Sequence, residues 1–215
     1  MTRWTEGGGA VKRVGVVGLG SVLMGDDGLG PYAVELLAAH WLLPPEVTVL
    51  DAGTPGPDLG DYLMDLDAVI VVDTVRSVDR PELPGRRDRP AHLRLFRKGE
   101  VMALPTAPRL SPHDPDLRQA LLICELAGRA PGEVLVVGVV PDRVELGTEL
   151  SPAVRAALPA VEAVIVAELR RLGIAPVRRD GPIAPVIWWE RPDGVPVGAA
   201  PPGGSFPATA PPGEC

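Results

Sequence analysis

Short runs of unbroken apolar residues alternate along this chain with longer stretches in which apolar positions recur at helical spacing. Residues 14–17 (Val-Gly-Val-Val) form the first run, and a glycine-rich turn follows it. Such a run predicts a strand covered on both faces, the condition of a strand inside a parallel sheet. Residues 28–41 then predict a helix whose apolar face is supplied by Ala33, Val34, Leu36, Leu37 and Ala38. Residues 47–50 predict a second strand ending at Asp51, residues 58–67 a short helix, and residues 68–72 (Ala-Val-Ile-Val-Val) a third strand ending at Asp73. The charged, proline-rich stretch 76–90 predicts a surface loop. Residues 92–97 alternate sides as a strand does, residues 115–128 predict a helix, and residues 134–140 another buried strand. The last helix starts at Ser151-Pro152, with serine as N-cap and proline in the first helical position, and stops near Gly173.

Strands alternating with helices predict an α/β fold: a three-layer sandwich in which a mostly parallel, twisted sheet carries helices on both faces. Ligands of such sheets sit at the carboxyl ends of the strands. The length of 215 residues suits one substantial domain better than two. Residues 13–173 are expected to form it, with residues 1–12 as a flexible leader. Beyond residue 174 proline and glycine dominate, so residues 174–215 are expected to be largely disordered for want of apolar surface to bury. Trp188 and Trp189 interrupt this tail and offer a means of docking on the domain or on a partner.

Charge narrows the classes of partner. The net charge of −7 argues against a nucleic-acid binder, whose footprint would be basic. The two cysteines, Cys124 and Cys215, match neither a disulfide framework nor a zinc spacing, which points to a reducing cytosol. The first residues carry no apolar signal core, and no apolar run approaches the roughly 20 residues that span a bilayer. A cytoplasmic monomer away from membranes is the expectation.

The candidate chemistry lies at the strand ends. The first turn reads Gly18-Leu-Gly-Ser-Val-Leu-Met-Gly25-Asp26-Asp27-Gly28-Leu-Gly30. A dinucleotide fingerprint would need glycine at position 23, which is Leu23, and would offer helix N–H groups to a phosphate where two carboxylates now stand. No lysine follows the glycines, so a P-loop fails too. The turn suits a cation or a neutral polar group. Asp26 and Asp27 fit helix capping equally well, and the two readings are compatible if one caps while the other points into the crevice. Asp51, in Asp51-Ala-Gly-Thr-Pro-Gly56, and Asp73 each read singly as turn residues. Taken together, acids at 27, 51 and 73 would converge on one crevice. His113, in Leu110-Ser-Pro-His-Asp, reads alone as a solvent-facing loop histidine; with two carboxylates it makes a site for a first-row divalent metal. HExxH and G-x-S-x-G are both absent, and neither cysteine sits in a nucleophile's context.

In order, Gly-Leu-Gly-Ser-x-Leu-x-Gly-Asp-Asp-Gly-x-Gly, Asp51-x-Gly-Thr54, Asp73-Thr-Val, Ser-Pro-His113, Val137-Gly-Val-Val-Pro141 and Leu150-Ser-Pro152 resemble the motifs of the nickel–iron hydrogenase maturation proteases. The resemblance spans about residues 13–172. It implies an endopeptidase that removes the C-terminal extension of a nickel-loaded hydrogenase large-subunit precursor. It also implies that the nickel comes with the substrate and that the protease has no resident catalytic metal. The family's metal-contacting positions fall on Asp27, Asp73 and His113, which would also carry the catalytic roles. Its Asp-x-Gly-Thr loop falls on Asp51, Gly53 and Thr54, expected to contact substrate. Family members usually carry asparagine where this chain has Ser21. Two alternatives keep the same site: a peptidase acting on another precursor, and a nickel-dependent maturation scaffold that docks the large subunit without cutting it.

Overall fold

The computed structural model of the chain describes residues 13–76, 89–103, 117–181 and 183–190. The expected leader, most of the loop 76–90, His113 and the tail beyond residue 190 lie outside the described residues.

The first strand, β1, is Val14–Leu19, and every one of its residues is buried. A single 3₁₀ turn at Gly25–Gly28 leads into helix α1, Leu29–His40. Trp41–Leu42 (β2) and Val47–Gly53 (β3) follow, then a 3₁₀ turn at Gly56–Asp58 and helix α2, Leu59–Leu63. Strand β4, Ala68–Thr74, is buried throughout. Beyond it lie β5 (Leu93–Arg97), α3 (Lys98–Ala103), α4 (Leu117–Leu126), β6 (Glu133–Val139), α5 (Pro152–Arg171), β7 (Val177–Arg178) and a last 3₁₀ turn at Trp188–Glu190. The expected elements are present with shifted ends: the second helix is shorter than 58–67, and α3 was not foreseen.

Five strands make one sheet in the order β3-β1-β4-β6-β5. β1 runs parallel to β3 and β4, and β4 parallel to β6; β5 closes the edge antiparallel to β6. The period of two along each strand then sorts the core into two layers. Ala68, Ile70 and Val72 of β4 join Val14 and Val16 of β1 under α1 and α5, whereas Val69 and Val71 join Val17 and Leu19 under α2 and α4. The three central strands, β1, β4 and β6, are covered on both faces and therefore read as unbroken apolar runs, whereas the edge strands β3 and β5 carry polar residues.

Helix α5 begins as predicted: the Ser151 hydroxyl accepts the Val154 N–H at 3.3 Å and Pro152 occupies the first turn. It ends before Gly173, where Ile174 N–H returns to the Leu169 carbonyl and Gly173 N–H to that of Arg170.

Packing does not stop at residue 173. β7 pairs antiparallel with β2, Arg178 opposite Trp41. Trp189 is buried with its ring edge-on to Tyr32, centroids 5.1 Å apart. Glu190 bonds the Tyr32 hydroxyl and the Arg155 guanidinium. Residues 174–181 and 183–190, read from composition as part of a disordered tail, are an ordered strap: Ile174 and Trp189 bury apolar surface, and the β2–β7 pairing and the Glu190 bonds tie the backbone down.

Candidate functional site

The sheet order puts β1 at a topological switch point. The chain goes from β1 to β3 on one side and to β4 on the other, which opens a crevice at the carboxyl ends of these strands. The glycine turn after β1 fills this place. Its backbone packs so closely that a side chain would not fit: a Cβ on Gly30 would fall 2.2 Å from the Leu19 carbonyl oxygen. Gly20, at φ +117°, lies where a Cβ would meet the Asp27 carbonyl oxygen at 1.8 Å. The glycines therefore let the turn fold onto its own strand and bring Asp27 to the strand ends.

Asp27 is fully buried. Its Oδ2 accepts the Ser21 N–H at 2.7 Å, and its Oδ1 accepts the Thr74 hydroxyl at 3.2 Å. Asp73, at the end of β4, accepts the Thr74 N–H on its Oδ1 at 2.7 Å. Thr74 thus links Asp27 to the end of β4, next to Asp73. The contact from Ser21 comes from its backbone, so serine in place of asparagine leaves it intact.

Neither acid of the turn caps its own helix. The N-cap of α1 is Gly28, with no side-chain bond. Asp26, also fully buried, reaches across the molecule instead. Its Oδ2 accepts the N–H groups of Asp142 and Arg143, at 2.8 and 2.9 Å, and the Ser151 hydroxyl at 2.9 Å. Its Oδ1 accepts the Ser151 N–H at 2.6 Å. The segment 141–151 is further zipped to the turn by Gly25 N–H to the Gly147 carbonyl and by Gly147 N–H to the Leu23 carbonyl, at 2.8 and 3.0 Å. This contact accounts for two of the sequence motifs, Val-Val-Pro141 and Leu150-Ser-Pro152: they are the ends of the segment that Asp26 holds. A pocket lined by Gly25, Arg143 and residues 145–149 opens beside it.

Asp51 stands apart from this pair. In register it lies opposite Gly18 on one side of β1, while Val72 lies opposite Gly18 on the other. Two strand spacings, roughly 10 Å, therefore separate β3 from β4. The Asp51 carboxylate accepts the Gly53 N–H at 2.9 Å, and the Gly53 carbonyl accepts the Gly20 N–H at 2.8 Å, which anchors the Asp51–Thr54 loop to the glycine turn. Loss of water around its carboxyl raises the Asp51 pKa, partly offset by the Gly53 bond. Glu35 of α1 is also raised, first by burial and then by the charge of Asp51; the Val186 N–H of the strap lowers it in part. This pair carries no sequence signal, because Glu35 lies within the helical pattern of α1.

Of the expected site residues, then, Asp27 and Asp73 both meet Thr74, whereas Asp51 and Gly53 at the end of β3, and Thr54 just after it, lie on the far side of β1 from Asp73. His113 lies outside the described residues, four positions before α4 begins. Among the described residues no three His, Cys, Asp or Glu side chains form a group that could hold a metal ion. Two carboxylates supply hard oxygen donors, a partial set suited to a divalent ion that brings other ligands with it.

Comparison with known proteins gives a consistent outcome. The family model described as hydrogenase maturation protease (HycI) matches residues 31–168, a span that holds Asp73 and His113 and begins four residues after Asp27. The chain is 32% identical over 169 residues to the hydrogenase 2 maturation protease of Escherichia coli, covering 78% of this chain and 97% of that protein. It is also 32% identical over 174 residues to the hydrogenase expression/formation protein HupD of Bradyrhizobium diazoefficiens, covering 80% and 86%. Among solved structures, the hydrogenase maturating endopeptidase HybD from E. coli superposes with a TM-score of 0.69 at 30% identity, covering 78% of this chain and 98% of that one.

Proposed function

We infer the activity from family membership: this chain belongs to the hydrogenase maturation protease family and is an endopeptidase of hydrogenase maturation. We propose that its substrate is a hydrogenase large-subunit precursor already loaded with nickel, and that it removes the precursor's C-terminal extension.

The observation that carries this reading is the pairing of Asp27 with Asp73 through Thr74 at the carboxyl ends of β1 and β4. N–H and O–H donors hold the two carboxylates in fixed orientations, as hydrogen bonds do for carboxylates that meet a metal ion. In the proposed complex Asp27, Asp73 and His113 bear on the substrate's nickel. The Asp51, Gly53 and Thr54 loop contacts the peptide that leads to the scissile bond. A nickel-free precursor lacks the cation that these carboxylates need and is passed over. Hydrolysis then requires a base within reach of water, a role open to the same carboxylates or to His113; the substrate's nickel would supply polarisation of the carbonyl. We propose the cytosol as the compartment: Cys124 is a buried free thiol, and among the described residues no helix is long and apolar enough to cross a membrane.

The test is cleavage of purified precursor, with and without nickel, followed by mass spectrometry of the extension, for wild type, Asp73→Ala and His113→Ala. Release from nickel-loaded precursor by wild type alone is expected. Equal release from nickel-free precursor would keep the peptidase and remove nickel recognition.

A further inference from the structure

Thr74 is 1% exposed and ends β4. Its position in the strand alternation, with Ala68, Ile70 and Val72, turns its side chain toward α1, where Asp27 lies. It uses two chemically different groups on the two carboxylates. The backbone N–H serves Asp73 at 2.7 Å, and the hydroxyl serves Asp27 at 3.2 Å. The Ser21 N–H takes the other oxygen of Asp27 at 2.7 Å, so the Asp27 carboxylate is gripped at both oxygens. Two of these three bonds come from the backbone and survive any substitution that preserves the fold. Only the third depends on a side chain, and that side chain is Thr74.

We propose that Thr74 is the positioning residue of the site: its hydroxyl fixes the orientation of Asp27 relative to Asp73, and so sets how strongly the protein distinguishes nickel-loaded from nickel-free precursor. This rests on the reading that Asp27 and Asp73 meet the substrate's nickel. Without the hydroxyl, Oδ1 of Asp27 loses its bond to the end of β4, while the backbone bonds from Ser21 to Asp27 and from Thr74 to Asp73 remain. The link between Asp27 and the strand end that bears Asp73 is then lost, and the spacing offered to the cation is less tightly held.

The experiment compares wild type, Thr74→Val, Thr74→Ser and Asp73→Ala. It measures Kd for nickel-loaded and for nickel-free precursor by biolayer interferometry, the rate of extension release, and the melting temperature. Valine keeps the shape of threonine and loses the hydroxyl; serine keeps the hydroxyl and loses the methyl. Thr74→Val is expected to shrink the ratio of the two Kd values about tenfold and to slow release roughly 10- to 100-fold, the scale of a misplaced reacting group. The Kd for nickel-free precursor should not move, and Thr74→Ser should restore the ratio to within about threefold. A residue that only filled space would weaken both affinities together and would not be rescued by serine. A wild-type Kd ratio and release rate in Thr74→Val, with Asp73→Ala inactive, would overturn the role of Thr74 and leave the site standing. A wild-type Kd ratio in Asp73→Ala would overturn both.

Discussion

Asp26→Ala is the perturbation for which the structure gives the largest stability effect. It strips the acceptor from four donors: the N–H groups of Asp142, Arg143 and Ser151, and the Ser151 hydroxyl. A hydrogen bond to a charged group is worth about 1.5–3 kcal/mol net. Asp142 and Arg143 are exposed, so their N–H groups can regain water, whereas Ser151 is buried and cannot. The two Ser151 bonds therefore dominate, and two bonds at that scale put the loss at about 3–5 kcal/mol. Against a typical stability of about 5–15 kcal/mol this is a large fraction. At roughly 2–4 °C per kcal/mol for a protein of this size, the melting temperature should fall by about 6–20 °C. Asp26→Asn should cost less, about 1–3 kcal/mol, because one oxygen can still serve the three donors on Oδ2 while the amide NH₂ faces only the Ser151 N–H. Urea unfolding followed by circular dichroism gives both values from the midpoint, with the slope unchanged if the unfolded state is the same. A cycle with Ser151→Ala should show a coupling of about 1 kcal/mol or more, since the residues are in contact. A loss below about 1 kcal/mol in Asp26→Ala would refute the role of this carboxylate as the staple between the glycine turn and α5.

Two further outcomes follow from the packing on the α1 and α5 face. Burial alone would raise the pKa of Glu168, but the guanidiniums of Arg97 and Arg171 outweigh it and bring the carboxyl down to about 2. A depressed folded-state pKa contributes stability that is present above the ordinary value near 4.5 and is lost as pH falls from there toward 2. Both arginines are nearly half exposed, so solvent screening limits the effect to about 1–2 kcal/mol; Glu168→Gln should flatten that limb of the curve of urea midpoint against pH, and an unchanged limb would refute it. Trp189→Ala should cost about 3–5 kcal/mol if the strap unfolds with the domain. If the strap opens alone, residues 183–190 should instead become the first site of limited proteolysis with the midpoint little changed; resistance to proteolysis at an unchanged midpoint would show that Trp189 holds nothing.

The glycine turn, the unbroken apolar strands and the Ser151-Pro152 helix start are local features, and local features are what sequence patterns encode. A strand buried on both faces must be apolar at every position, and an N-cap must offer an oxygen to the next turn. The α/β class, the strand-end placement of Asp27 and Asp73 and the family motifs were therefore readable in advance. Four other features were not. The antiparallel direction of β5 depends on its neighbour β6, because alternation is the same in either direction. The separation of Asp51 from Asp73 depends on β1 lying between β3 and β4. The strap was masked by its prolines and glycines, although Trp189 and Glu190 find Tyr32 and Arg155 on α1 and α5. Asp26, one residue from Asp27 and of the same type, takes a different role because its partner Ser151 lies 125 positions away. A hydrogen bond across that distance imposes no spacing or period on the residues between. The sequence determined what each segment would become, and only the folded arrangement decided which of two adjacent carboxylates holds the site together and which faces Thr74.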